Sequence, residues 1–285
     1  MPLHVESGKA FKICQLTDIH LGNYPLNEND LKTLNGIKRI LKKDKFDLIM
    51  ITGDLIAGKE TTEPRRSLIE LYELLNEFDV PVAITYGDRD TEGNYNRKYL
   101  RDFEKNLKNL VPHNHSYVVD DHENYTLEVF DKKTDKLVNV LYVWDSGDYY
   151  KQPDISHYDT IGRHQINWYA KITKTYHVKT FDLGFMHIPL PEYKEVNKEE
   201  VSGTFNEKIC SADINSGLFY ELSNVGKIKA LFAGHDHNNN FSANLARIQL
   251  NYGNVTGYNA NSSLNRGVLA IDLYSDGVER RVLNF

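Results

Sequence analysis

Five short apolar runs in this chain each stop at an aspartate or a histidine, and that repeated punctuation narrows the folds open to it. The runs occupy residues 11–16, 46–52, 80–86, 180–186 and 228–233. Each is shorter than an ordinary helix and reads as a strand buried on both faces. They lead into Thr17-Asp18-Ile19-His20, Gly53-Asp54, Gly87-Asp88-Arg89-Asp90, His187-Ile188-Pro189 and Gly234-His235-Asp236-His237. An Asp and a His two apart at the end of a strand offer a hard oxygen and an imidazole on one side, a pair suited to a divalent transition metal.

Helical spacing separates the first runs. Leu31, Leu34, Ile37, Ile40 and Leu41 define a helix over 27–43, and Pro64 suits the first turn of a second over 64–78. Further helices are expected over 96–110, 165–176 and 216–223. Residues 115–144 change to aromatic-rich alternation, the pattern of antiparallel strands. The tail over 241–285 alternates like hairpins, with turns expected at Asn265-Arg266-Gly267 and Ser275-Asp276-Gly277. Residues 196–213 are weakly patterned, and the polar loop 146–160 is long enough to lie over a site. These elements predict one α/β domain over 1–285, with two sheets packed face to face and helices outside. In open α/β sheets ligands bind beyond the carboxyl ends of strands, where all five motifs fall.

Bulk properties exclude some function classes. A net charge of −6 argues against a partner bound by phosphate neutralisation, so no nucleic acid is expected. No apolar stretch approaches the roughly 20 residues that span a bilayer, so no membrane is expected either. The N-terminal residues lack the basic and apolar segments of a signal peptide. Two cysteines, Cys14 and Cys210, give no disulfide framework, which favours a cytoplasmic location.

At the ends of the runs stand Asp18, His20, Asp54, Asp88, Arg89, Asp90, His187, His235 and His237. Singly, each has a plainer reading: His20 as a surface histidine, Gly53-Asp54 as a turn, His187 as a packed core residue. The other histidines, at 4, 113, 115, 122, 157, 164 and 177, lie in polar stretches or helices and are read as solvated or structural. Together, three carboxylates (Asp18, Asp54, Asp88) and four imidazoles exceed the three protein ligands of one catalytic zinc. They suit two ions about 3.5–4 Å apart that share a carboxylate. Asp54 is the natural bridge, because the preceding glycine lets the backbone come close.

This ordered set, over residues 11 to 237, resembles the motifs of the calcineurin-like metallophosphoesterases. Asp145-Ser146-Gly147 and His187-Ile188-Pro189-Leu190-Pro191 are also similar to a purple-acid-phosphatase-like subgroup. The resemblance implies a four-layer αββα sandwich and a binuclear centre of divalent manganese, iron or zinc. It places Asp18, His20 and His237 on one ion and Asp88, His187 and His235 on the other, with Asp54 bridging. It also implies hydrolysis of a phosphomonoester or phosphodiester by a hydroxide held between the ions. The substrate would be a phosphorylated small molecule or a phosphoprotein.

One motif departs from the family pattern. Gly-Asn-His-Asp/Glu is expected where this chain has Gly87-Asp88-Arg89-Asp90. Aspartate keeps the oxygen ligand and adds a charge. Arginine stays protonated and is a poor proton donor, yet it can pair with phosphoryl oxygens and stabilise developing charge, the catalytic role expected of Arg89. Leaving-group protonation would then fall to water or to a histidine near 146–160. The alternative is a metal-binding pseudoenzyme that recognises a phosphorylated ligand without efficient turnover.

Overall fold

The computed structural model describes residues 2–285. After the short β1 (Leu3–Val5), the chain runs through β2 (Phe11–Leu16), α1 (Glu28–Lys43), β3 (Leu48–Thr52), α2 (Pro64–Leu75) and β4 (Val82–Thr85). β2, β3 and β4 pair in parallel, a geometry that needs crossover helices because a tight turn cannot join parallel neighbours. A capping box sets the start of α1. Asn27 Oδ1 accepts the Asp30 N–H at 2.9 Å, and Asp30 Oδ2 accepts the Asn27 N–H at 2.9 Å.

After α3 (Arg97–Phe103) come β5 (Asn114–Val119), β6 (His122–Asp131) and β7 (Leu137–Trp144), a meander of antiparallel pairs. Next are α4 (Arg163–Ile172), β8 (Asp182–Phe185), α5 (Leu218–Val225), β9 (Ile228–Ala233), β10 (Ser242–Leu245) and β11 (Ile248–Tyr252). They complete a sheet in the order β1-β6-β7-β8-β9-β11-β10, with β5 also paired to β6. The last strands, β12 (Gly267–Leu273) and β13 (Val278–Asn284), return to the first sheet, ordered β13-β12-β2-β3-β4.

Alternating residues of the buried strands divide between two interfaces. Ile13, Met50 and Ile271 face the opposite sheet and meet Leu141, Phe185 and Phe232. Cys14, Ile49 and Ile51 face outward onto Ile37 of α1 and Leu71 of α2. On the far side Tyr142, Trp144 and Leu231 pack with Trp168, Tyr169 and Leu222 of α4 and α5. The layers are therefore α, β, β, α. No helix among the described residues is long and apolar enough to cross a membrane.

Some boundaries differ from the sequence pattern. α3 stops at Phe103 and not near 110, because Asn109 and Val111 bond across to Val82 at the edge of β4. The tail is not one run of hairpins. β10 and β11 turn through Ala246 and Arg247, both at positive φ, whereas Asn265-Arg266-Gly267 closes a crossing between the sheets. Ser275-Asp276-Gly277 does form the β12–β13 turn, with the Tyr274 N–H donating to the Gly277 carbonyl at 2.9 Å. β1, three residues long, is too short to show an alternating pattern.

Candidate metal centre

Asp18 and His20 follow β2, Asp54 follows β3, Asp88 follows β4, His187 follows β8, and His235 and His237 follow β9. Parallel strands of both sheets end on one rim, so these seven side chains meet there. Four of the seven sit in left-handed backbone, with φ of +53° at Asp18, +48° at His20, +53° at Asp54 and +79° at His235. Such residues cost on the order of 1–3 kcal/mol each and persist where their surroundings fix them. Here the Asp18 N–H donates to the Gly53 carbonyl (3.1 Å), His20 N–H to Asp54 (3.0 Å), and Gly257 N–H to Asp18 (2.9 Å). Two glycines make the room. A Cβ on Gly53 would lie 2.5 Å from His187 Nδ1, and one on Gly87 would lie 2.2 Å from Asp54 Oδ1.

The side chains form two groups, Asp18, His20, Asp54 and His237 in one and Asp88, His187 and His235 in the other. In the first, His237 Nε2 is 3.4 Å from Asp18 Oδ1 and 3.1 Å from His20 Nε2. In the second, Asp88 Oδ1 lies 3.2 Å from His187 Nε2 and 3.0 Å from His235 Nδ1. Asp54 stands between them, with Oδ2 3.4 Å from His20 Nε2 and Oδ1 3.3 Å from His187 Nε2.

These donor sets fit divalent cations. Asp88 Oδ1 and His187 Nε2 are buried and neither has a hydrogen-bond partner, although they are neighbours. They converge on a common point, as ligands do, and not on each other. The Thr52 carbonyl can only accept, so His187 Nδ1, 2.8 Å away, carries the proton and Nε2 is left free to ligate. Burial pushes the Asp18 carboxyl up, but His237, His187 and His20 outweigh it and hold the group below the usual carboxylate range. Burial, partly opposed by Asp54, lowers His20 to about 4. Against burial, the carboxylates of Asp54, Asp88 and Asp18 raise His187, His235 and His237, so a metal binding here would displace protons from those rings.

Other residues hold this arrangement. Asp90, the last motif residue, accepts N–H bonds from Asp54 (2.9 Å), Leu55 (2.8 Å), Ile56 (3.2 Å) and Gly87 (2.8 Å), which ties the β3 and β4 turns together. Arg89 donates through Nη1 to Glu92 Oε1 at 3.0 Å and stays half-exposed. It lines a 590 Å³ cleft with His20, His237, Lys59 and Asn259. The 146–160 loop does lie against the site, but it brings tyrosines there. Tyr149 donates to Asp88 Oδ2 at 3.2 Å, and the Tyr158 ring packs edge-on to His235 at 4.5 Å. His157, in the same loop, packs on those two rings. Asp145-Ser146-Gly147 anchors the loop: Asp145 pairs with buried Arg97, and Ser146 Oγ accepts the Ile188 N–H at 2.9 Å beside His187.

The sequence pattern of calcineurin-like phosphoesterases matches residues 11–239, and the chain belongs to that family. Among relatives, it is 30% identical over 282 residues to "Probable inactive purple acid phosphatase 29" of Arabidopsis thaliana, covering 88% of this chain and 72% of the relative. It is 29% identical over 273 residues to the phosphatase DCR2 of Saccharomyces cerevisiae, covering 83% of this chain and 45% of the relative. The fold matches a dimetal phosphatase from Danio rerio with a TM-score of 0.67 at 13% identity, over 97% and 96% of the two chains.

Proposed function

We propose that this chain is a phosphoesterase that works through two divalent metal ions. The observation that supports it most is Asp54, whose two oxygens address the two ligand groups separately, at 3.4 Å from His20 and 3.3 Å from His187. Asp18, His20 and His237 would hold one ion and Asp88, His187 and His235 the other, with Asp54 shared. Bound there, such ions supply Lewis-acid charge to a phosphoryl group and lower the pKa of a water. Oxygen and imidazole donors of this kind take manganese, iron or zinc.

The chain's own part is to bind and orient. The cleft beside His20 and His237 holds 590 Å³, room for a small phosphorylated molecule or a phosphorylated side chain. Arg89 opens onto it, and its Nη groups can pair with phosphoryl oxygens. A guanidinium cannot hand a proton to a leaving oxygen, a contribution worth about 10²–10⁴-fold when a general acid supplies it. Aryl phosphates, whose leaving groups need no proton, should therefore be turned over much faster than alkyl phosphates.

Turnover of an aryl phosphate by manganese-loaded protein, abolished by a chelator and restored by manganese, is the expected result. Binding of phosphate without turnover of any mono- or diester would instead favour a phospho-ligand receptor. That second reading draws on Arg89, which is already engaged by Glu92. Arg89→His separates the two: a large gain in rate points to a crippled site, a loss to an enzyme adapted to arginine.

A further inference from the structure

We infer that Tyr149 is a positioning residue for Asp88. Together with Arg89 and Glu92 it forms a bracket that makes the aspartate and arginine of this motif one compensated change from the expected asparagine and histidine. The inference rests on the two-ion reading above and assigns a role within that site.

Asp88 presents its two oxygens to different surroundings. Oδ1 faces His187 and His235 at 3.2 and 3.0 Å and accepts no hydrogen bond. Oδ2, where an asparagine would carry its NH₂ group, is a second acceptor bearing charge in a side chain only 2% exposed. Buried charge of this kind needs a donor and a counter-ion. The Tyr149 hydroxyl supplies the donor at 3.2 Å, and Arg89 Nε supplies the positive charge at 3.8 Å.

Glu92 fixes both of these groups. Its carboxylate receives Arg89 Nη1 at 3.0 and 3.3 Å, the Lys59 N–H at 3.0 Å, and contact with the Tyr149 hydroxyl. The single Tyr149 proton bridges two carboxylates: Glu92, the nearer, has other donors, whereas no other donor among the described residues is within hydrogen-bond reach of Asp88 Oδ2. The backbone is shaped around Glu92: Gly58 lies at φ +86°, and a Cβ there would meet Glu92 Oε2 at 2.2 Å. On the other side, Thr91 Oγ1 donates to Asp148 Oδ2 at 2.8 Å, which ties the Tyr149 loop to the turn after β4. With Oδ2 held, Oδ1 is aimed at the point shared with His187 and His235. Without the hydroxyl, the carboxylate is free to rotate.

Loss of a partner behind a metal ligand lowers metal affinity about 10–100-fold. The test is manganese titration by calorimetry of chelator-stripped wild type, Tyr149→Phe, Asp88→Asn and the double variant. Tyr149 is 37% exposed, so the Phe variant keeps its fold. Tyr149→Phe should weaken one of two binding steps tenfold or more and leave the other unchanged, and in the Asp88→Asn background the same change should matter less than threefold. Two unchanged steps in Tyr149→Phe, or equal losses in both backgrounds, would overturn the inference while leaving the two-ion reading intact. Wild type that takes up no manganese would overturn both. Manganese binding with the expected coupling but no turnover supports the bracket and removes the hydrolase.

Discussion

Arg97 and Asp145 are each 2% exposed and face each other across the start of the loop that reaches the candidate metal centre. Arg97 Nε donates to Asp145 Oδ2 at 2.8 Å, and Nη2 donates to Asp145 Oδ1 at 3.3 Å and to the Gly147 carbonyl at 3.0 Å. Removing one member of a buried pair leaves an uncompensated charge and costs about 3–5 kcal/mol. For Asp145→Leu the lower end applies, about 3 kcal/mol, because Asp90 and Asp148 remain near the guanidinium. That is a large share of a typical stability of about 5–15 kcal/mol. Removing both charges in Arg97→Met/Asp145→Leu should restore most of the loss, since an apolar pair of similar volume is often as stable as a buried ion pair. Urea unfolding at pH 7, followed by the fluorescence of the buried Trp144 next to Asp145, reads all corners of the cycle. A loss below about 1 kcal/mol for Asp145→Leu, or a double variant no better than the sum of the singles, would refute the reasoning.

Two further outcomes follow from the packing. Burial pushes the Glu104 carboxyl up to about 7 from its ordinary 4.5, against the opposing bond from Tyr86. A raised folded-state value stabilises fully below pH 4.5 and is lost as pH rises through about 7. At about 1.4 kcal/mol per unit, Glu104→Gln should gain on the order of 3 kcal/mol over wild type at pH 8 and little at pH 4.5. Parallel stability profiles would contradict this. Gly53→Ala places a methyl 2.5 Å from the His187 ring at φ +87°, whereas Gly8→Ala shares a positive φ with nothing within 4 Å. Only the first should lower manganese uptake, and its melting temperature should fall further; equal losses would show that crowding at His187 is not the cause.

How much of this was legible in the sequence depended on how local each signal is. The strand ends carrying Asp18, Asp54, Asp88, His187 and His235 are readable because an apolar run and its terminal aspartate or histidine are contiguous. Two sheets face to face with helices outside follow from the order of the elements, and the four-layer sandwich from the family resemblance. What escaped was held by distant residues or by backbone shape. Arg97 reads as an ordinary helical arginine until the fold sets it on Asp145, 48 positions away. Tyr149 lies in a loop whose length alone points to the site, but nothing local distinguishes it from Tyr150, and only the fold brings its hydroxyl to Asp88. Asp90 was visible as part of a motif, yet its four backbone bonds depend on the turn after β3. β11 and β12 join different sheets where a hairpin is expected, because alternation does not say which sheet a strand joins.

The central claim is that the rim holds two ions sharing Asp54. The most direct measurement is metal content by elemental analysis of wild-type protein stripped with chelator, reloaded with manganese and freed of excess by gel filtration. Two ions per chain are predicted. One ion would mean that Asp54 serves a single group, and none would mean that the convergent aspartates and histidines are not a metal centre.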